Sequence, residues 1–484
     1  MKLTPESGRH APVPGQSSAK APALYQGFDG QYINGSWRPG KHGGVLVDAD
    51  PYSGATLAEM VMANQSDLDE AYRAAAKAQV SWAARLPAER AAVMLRSASI
   101  MEARHGEIVD WLIREAGSTR VKAELEWQFV HAVTLEAASF PHRMEGRILP
   151  LDEAGKESRA YRQPLGVIGV ISPWNFPMYL SHRSIAPALA LGNAVAVKPA
   201  GETPVTGGLL IAKIYEEAGL PSGLLNVVVG PSSEIGDPFT THPIPRLISF
   251  TGSTPVGRRI GVLAMQAPQL KRVALELGGN APLVVLDDAD LEHAVRSAVV
   301  GRFLHQGQVC MSTNRIIVDA SIYNEFVDRF TAHVKTLKYG DPNDPSVSIG
   351  PVINEKQLRG HLACIERAQK QGARELLGGV PDRQVLPPHV FAGVTNDMAI
   401  AQDEIFGPIA PIIKVKDEEE ALQVANQTEY GLSSAVFTRD RERPDMSAHQ
   451  RRASERDQAR NRVRRERIAD FGGWTDDDVE KTGR

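Results

Sequence analysis

Two cysteines occur in the 484 residues, and Cys310 stands where a nucleophile could work. It follows Gly307-Gln308-Val309 at the end of a long apolar helix pattern (Leu291, Ala294, Val295, Ala298, Val299, Phe303). A thiol titrates near about 8.5 and must be partly thiolate to attack a carbonyl. By itself Cys310 reads first as a buried structural thiol, because free cysteine is among the most buried residue types. Cys364, in Leu362-Ala-Cys-Ile365 on an amphipathic helix pattern, has no chemistry-bearing neighbours and reads as structural.

Other segments could supply what such a thiol needs. In Pro173-Trp174-Asn175-Phe176-Pro177, two prolines bracket an Asn directly after an apolar strand pattern. A rigid loop there would hold the Asn175 amide as a fixed donor for a developing oxyanion, or simply form a turn in which Asn175 bonds its own backbone. Glu276 precedes Gly278-Gly279-Asn280, so its carboxylate could serve as a general base beside open backbone, or could be a solvated charge before a loop. Thr251-Gly252-Ser253-Thr254-Pro255-Val256-Gly257 leads from a strand into a helix, whose free N–H groups suit a pyrophosphate. Its spacing is not G-x-G-x-x-G, and an ordinary strand-to-helix turn explains it as well. Lys198 and the pair Glu404 and Phe406 read equally as surface charges or a core ring.

The elements that must position these residues follow from periodicity. Asp67 is expected to cap a helix over 68–84, and Pro87 to open another reaching residue 105, with helical periodicity continuing past Trp127. Residues 147–151 read as a strand or arm, followed by a polar break at 152–158. From 165 onward, apolar β-branched runs alternate with helices. Strands are expected at 165–171, 194–198, 225–229 and 246–250, with helices at 184–191, 205–218 and 256–265. A second series has strands at 282–286 and 315–318 and helices at 290–304, 322–337 and 355–371. Such alternation implies an α/β fold with parallel sheets covered on both faces. The expected division is a disordered lead-in over 1–27, a first domain over 28–275 with an arm near 141–160, and a second over 276–438. An Arg-rich tail without an apolar face, 439–484, is expected to be disordered.

Composition excludes several classes. At 42% hydrophobic, 23% charged and net charge −4, the chain is an ordinary globular protein with no reason to bind nucleic acid or an anionic membrane. No apolar run reaches the length of a membrane span, and the N-terminus lacks the apolar core of a secretory signal. Two cysteines make neither a disulfide framework nor a metal cluster, which fits the cytoplasm.

Taken together and in order, the stretches PWNFP (173–177), VKPA (197–200), FTGSTPVG (250–257), ELGGNAP (276–282), GQVC (307–310) and EIFGP (404–408) resemble the aldehyde dehydrogenase superfamily. The resemblance covers roughly residues 28–438. Residues 305–311 with Gly279-Asn280 look most like the branch acting on aromatic aldehydes such as benzaldehyde and vanillin.

The resemblance implies a Rossmann-type cofactor domain, an α/β catalytic domain and a small bridging arm. It implies that Cys310 attacks the aldehyde, that Asn175 and the Cys310 N–H hold the oxyanion, and that Glu276 activates the water that hydrolyses the thioester. It also implies a site for NAD. Lys198 would bond the adenosine ribose, Gly252 to Gly257 would face the pyrophosphate, and Glu404 with Phe406 would place the nicotinamide. Trp174, Phe250, Ser253, Thr254, Val256, Leu277 and Gly278 complete the implied cofactor set; Phe176 and Tyr179 are implied to line the aldehyde funnel. A homo-oligomer is implied as well.

Two departures stand out. Many NAD-preferring members carry Glu three residues after the VKP lysine, where this chain has Gly201, so NADP use is open. The tail does not follow the family pattern and looks like sequence from a different reading frame; part of the funnel and of the oligomer interface is therefore expected to be missing. Two other readings compete: a cofactor-free thiol hydrolase with His305 or His182 as base, and an inactive relative whose basic tail binds acidic partners.

Overall fold

A computed structural model describes residues 22–440 of the protein. The expectations for most of the lead-in and for nearly all of the Arg-rich tail lie outside these residues. The end of the lead-in is tied down: the Tyr25 N–H donates to Glu107 at 2.6 Å, and the Arg104 guanidinium lies 3.6 Å from the Tyr25 ring centroid.

Two large sheets organise the chain. The first runs in the order Arg272–Glu276, Leu247–Thr251, Val167–Ile171, Ala194–Lys198, Leu225–Val227, Gln31–Ile33 and Ser36–Arg38. Its first five strands are parallel, and the last two form an antiparallel hairpin at the edge. The second sheet has six strands, in the order Arg374–Leu377, His389–Val394, Ile409–Val415, Thr313–Asp319, Ala281–Val285 and Ala435–Phe437. Only its pairing at Arg374–Leu377 is antiparallel.

The continuous apolar runs follow from covering both faces of these sheets. Along Ala281–Val285, Leu283 and Val285 enter one core, whereas Val284 enters another on the opposite face. Ile316 and Val318 repeat the first choice and Ile317 the second. The first sheet packs into a single large core with the helices Gln65–Ala83, Pro87–Ala103 and Pro177–Ala190. The chain crosses from the first sheet to the second between Glu276 and Ala281. Among the described residues no helix is long and apolar enough to cross a membrane.

Several elements differ from the expectation. The cap of the first long helix is Asn64, whose side chain accepts from Ser66 and Asp67, while Asp67 sits at the third helical position and accepts the Asn64 N–H at 3.0 Å. This reciprocal capping box moves the helix start to Gln65. The helix expected at 184–191 begins at Pro177, because proline suits the first turn, where its missing N–H costs nothing. Residues 205–218 form a π-helical segment, Val205–Leu209, running into the α-helix Leu210–Glu217. The arm is a hairpin in which Arg147–Leu149 pairs with Ser158–Ala160 across the polar break.

Candidate functional site

Cys310 lies, half-buried, in the loop between the short helical turn Leu304–Gly307 and the strand Thr313–Asp319. Three consecutive residues before it, His305, Gln306 and Gly307, have left-handed φ values of 50°, 58° and 73°. A non-glycine residue in this region costs about 1–2 kcal/mol. The Gln306 amide offsets part of that by donating to the carbonyls of Gly117 at 3.0 Å and Pro351 at 2.8 Å.

Asn175 is buried, and its side-chain nitrogen donates to the Gln308 carbonyl at 2.9 Å. One amide hydrogen is thus fixed by the loop that carries Cys310, which orients the carboxamide and leaves the second hydrogen for another acceptor. The Asn175 loop is held from below. Glu126, fully buried and paired with Lys122, accepts the Tyr179 N–H at 3.0 Å in the first turn of Pro177–Ala190. Phe176 is buried with its ring between Lys122 and His305; Tyr179 is half-buried and packs against Phe129 at 5.2 Å.

Glu276 ends the edge strand of the first sheet and is exposed, with its carbonyl accepting the Gly252 N–H at 3.0 Å. The two glycines that follow allow close approach. A Cβ on Gly279 would overlap the Cys310 carbonyl oxygen, and one on Gly278 would lie 2.6 Å from the Glu404 carboxylate. Glu404 accepts the Gly279 N–H at 3.0 Å. Burial pushes its carboxyl above the usual range, while that N–H and the Arg302 charge oppose the shift. Phe406 has a left-handed φ of 51°, and its ring stands edge-on to Trp174 at 5.3 Å.

The Cys310 thiol is pushed up to about 11. Burial is the main cause; the Glu404 charge adds to it, Arg183 opposes it, and Glu276 contributes less. The structure thus brings Asn175, Glu276, Glu404 and Cys310 into one neighbourhood.

The remaining sequence candidates stand at the ends of strands of the first sheet and in the turns that follow them. Lys198 ends its strand, buried, beside a cavity of about 440 Å³ that Gly201, Glu202, Val229 and Ser232 also line. Burial lowers its ammonium, and the Glu202 charge opposes this. A Cβ on Gly201 would meet only Leu46, at 3.9 Å, so this wall of the cavity is open. Phe250 lies buried under Gly252, and Ser253 stands at the cap of the helix Thr254–Gln266, with Thr254 first in it and Val256 exposed. Gly257 faces Leu277, where a Cβ would overlap the leucine side chain. The cavity beside Lys198 is walled by this lysine, the uncluttered Gly201 and Ser232, the first residue of the helix Ser232–Thr241, whose free N–H groups suit an anionic ligand.

Neither histidine weighed as a base suits that task. His182 is fully buried against Thr134 at 2.8 Å and pulled down to about 3 by burial. His305 is fully buried and held well below its ordinary value by burial and the Lys122 charge.

Residues that sequence reasoning missed also shape the site. Arg183 donates to Thr251 at 3.1 Å, and its charge favours the Cys310 thiolate. Gln308 receives Asn175 on its carbonyl and the Ile353 N–H, at 3.0 Å, on its side chain. Arg302 and Asn314 tie neighbouring loops together. No short motif marks Arg183 or Arg302; both sit in helices that read as ordinary amphipathic sequence.

The chain is similar to known proteins along most of its length. Residues 37–482 match the aldehyde dehydrogenase family profile, a span that runs on through the tail. The chain is 51% identical to a vanillin dehydrogenase of Corynebacterium glutamicum, over 88% of this chain and 89% of that protein. It is 48% identical to a benzaldehyde dehydrogenase of Bacillus subtilis, over 87% of this chain and 86% of that one. The crystal structure of an NAD-dependent benzaldehyde dehydrogenase from C. glutamicum superposes with a TM-score of 0.84 at 51% identity, covering 88% of this chain and 90% of the other. A thiol, an oriented amide and a carboxylate thus stand on a backbone shared with these enzymes, and the chain belongs to the aldehyde dehydrogenase family.

Proposed function

We propose that the protein oxidises an aromatic aldehyde to its carboxylic acid, with Cys310 as nucleophile. The observation that carries the reading is the Asn175 amide fixed on the Gln308 carbonyl, two residues before the thiol. Cys310 Sγ adds to the aldehyde carbon, and its proton passes to a carboxylate, because the thiol is held protonated at neutral pH. Glu276 takes that proton: it is exposed, and its charge bears on the thiol. The oxyanion is held by the second Asn175 hydrogen and the Cys310 N–H. NAD, when bound, supplies the acceptor for the hydride that leaves this carbon, and a thioester remains on Cys310. Glu276, exposed to solvent, passes the thiol proton to bulk water and, ionised again, activates the water that hydrolyses the thioester; the acid leaves and the Cys310 thiol is restored.

Lys198 would hold the adenosine ribose, with the turn from Gly252 to Gly257 along the pyrophosphate. Trp174, Phe250, Leu277, Gly278, Glu404 and Phe406 would hold the nicotinamide side. Phe176 and Tyr179 border the aldehyde. The aromatic preference rests on the names of the relatives, and the openness at Gly201 leaves room for NADP as well as NAD. We place the enzyme in the cytoplasm as a homo-oligomer.

Benzaldehyde and vanillin with NAD should produce reduced nicotinamide absorbance in proportion to enzyme, and aliphatic aldehydes should do so less efficiently. Turnover retained in full by Cys310→Ala would refute the assigned nucleophile.

A further inference from the structure

Arg302 is among the largest fully buried side chains of the described residues, yet no carboxylate forms an ion pair with it there. Burying a charge without an ion pair is costly, even where carbonyls accept its hydrogen bonds. Fold stability alone therefore gives a poor reason for arginine here. Its hydrogen bonds are more specific. One terminal nitrogen donates to the Thr313 carbonyl at 3.0 Å and to the Asn314 side-chain oxygen at 3.3 Å, three and four residues after Cys310. The other donates to the Gly407 carbonyl, in the loop that carries Glu404 and Phe406.

Asn314 extends the connection. Its oxygen accepts the Ile405 N–H at 3.1 Å, and its nitrogen donates to the Asp403 carbonyl at 3.0 Å. The space between the loops is filled: a Cβ on Gly307 would overlap the Gly407 carbonyl and lie 2.8 Å from the Arg302 guanidinium. The Arg302 charge also favours the ionised form of Glu404, whereas His361 beside it is held neutral.

We propose that Arg302 is a positioning residue for hydride transfer: its planar fork fastens the 403–407 loop, with Glu404 and Phe406, to the start of the strand Thr313–Asp319, which directly follows the nucleophile loop. This rests on the reading of Glu404 and Phe406 as nicotinamide contacts. Arg302 touches no reacting atom. It sets the distance between the two loops that must meet for hydride to move, and the planar guanidinium does so from two nitrogens in fixed geometry, whereas a lysine would offer a single point charge on a flexible stem.

Arg302→Lys keeps the charge without the fork, and Arg302→Met removes both; if the methionine variant fails to fold, the lysine variant carries the test. Three measurements are compared with wild type: aldehyde oxidation with NAD, hydrolysis of 4-nitrophenyl acetate, which needs the thiol and no hydride acceptor, and hydrogen exchange of segment 401–408. The ratio of oxidation to ester hydrolysis should fall at least about tenfold. The isotope effect on kcat with aldehyde deuterated at the carbonyl carbon should grow, and exchange in 401–408 should accelerate more than in 307–312. An unchanged ratio with unchanged exchange overturns the proposal, as does equal loss of both reactions in a folded variant. If wild type hydrolyses the ester yet reduces no NAD with any aldehyde, the aldehyde-oxidising reading fails, and the exchange measurement still decides whether Arg302 fastens the loop.

Discussion

The carbonyl oxygen of Cys310 lies against the Cα of Gly279, so closely that no Cβ could stand between them. The obstacle is backbone, which cannot swing aside as a side chain can. The Gly279 N–H is at the same time committed to Glu404. Gly279→Ala should therefore push the nucleophile loop from the Glu404 loop, costing about 1–3 kcal/mol of stability and at least about tenfold in kcat. Thermal melting and steady-state rates check both; a variant with wild-type melting and turnover would show that the two loops do not pack this way.

Asn175→Ala removes the oriented donor. Aldehyde oxidation should fall by about 10²–10³ in kcat, the usual loss for an oxyanion donor. Alkylation of Cys310 by iodoacetamide builds no oxyanion, so it should change far less. Parallel losses in both reactions would mean that Asn175 supports the loop and not the charge.

The position of the Cys310 thiol at about 11 gives its alkylation a defined pH dependence. In the enzyme without cofactor, the rate should keep rising through pH 9 instead of levelling near the value of a free thiol. Glu404→Gln removes the negative charge that acts most strongly on the thiolate, so the midpoint should move down and alkylation at pH 8 should quicken. A profile that levels near pH 8.5 in wild type would contradict this electrostatic picture.

His182 is neutral in the fold, with its midpoint pulled from 6.5 to about 3 by burial. A depressed midpoint means the unfolded chain binds the proton more readily. The stabilisation is complete above about pH 6.5 and is lost as pH falls toward 3, at no more than about 1.4 kcal/mol per pH unit. Denaturant melts of wild type and His182→Gln between pH 4 and 7 should converge as the acid side is approached. A constant gap across that range would rule out this source of acid sensitivity.

Gly201 opens onto the cavity beside Lys198, with room for a side chain. Gly201→Glu would place a carboxylate there that repels a 2′-phosphate and can bond a ribose hydroxyl. The preference for NAD over NADP, as a ratio of kcat/KM values, should rise by about tenfold. Equal effects on the two cofactors would place the ribose elsewhere.

Much of the architecture was legible because both faces of each sheet are covered. Ala194–Lys198 was placed to the residue, and Ala281–Val285 within one. The edges were not legible. Gln31–Ile33 and Ser36–Arg38 are too short for periodicity, although the two-residue turn Asn34-Gly35, with φ of 54° and 76°, is a strong hairpin signal. The helix start at Pro177 was obscured by the chemical reading of the same proline and by Pro187 within the helix. In the site, the candidates read from the sequence all lie inside short motifs, whereas Arg183, Arg302 and Asn314 make contacts up to 105 residues apart, which local spacing cannot encode.

The left-handed turn at 305–307 carries a lesson for reading variation in this chain. Its positions tolerate substitution according to the hand of the backbone: Asn, Asp and Gly adopt such dihedrals readily, whereas Val, Ile and Thr do not. A saturation library selected only for soluble protein would thus be depleted at His305 and Gln306 as sharply as a library selected for turnover is depleted at Cys310. Intolerance in the five residues before the thiol would then record the geometry of delivery, and only the contrast between the two selections would separate it from chemistry.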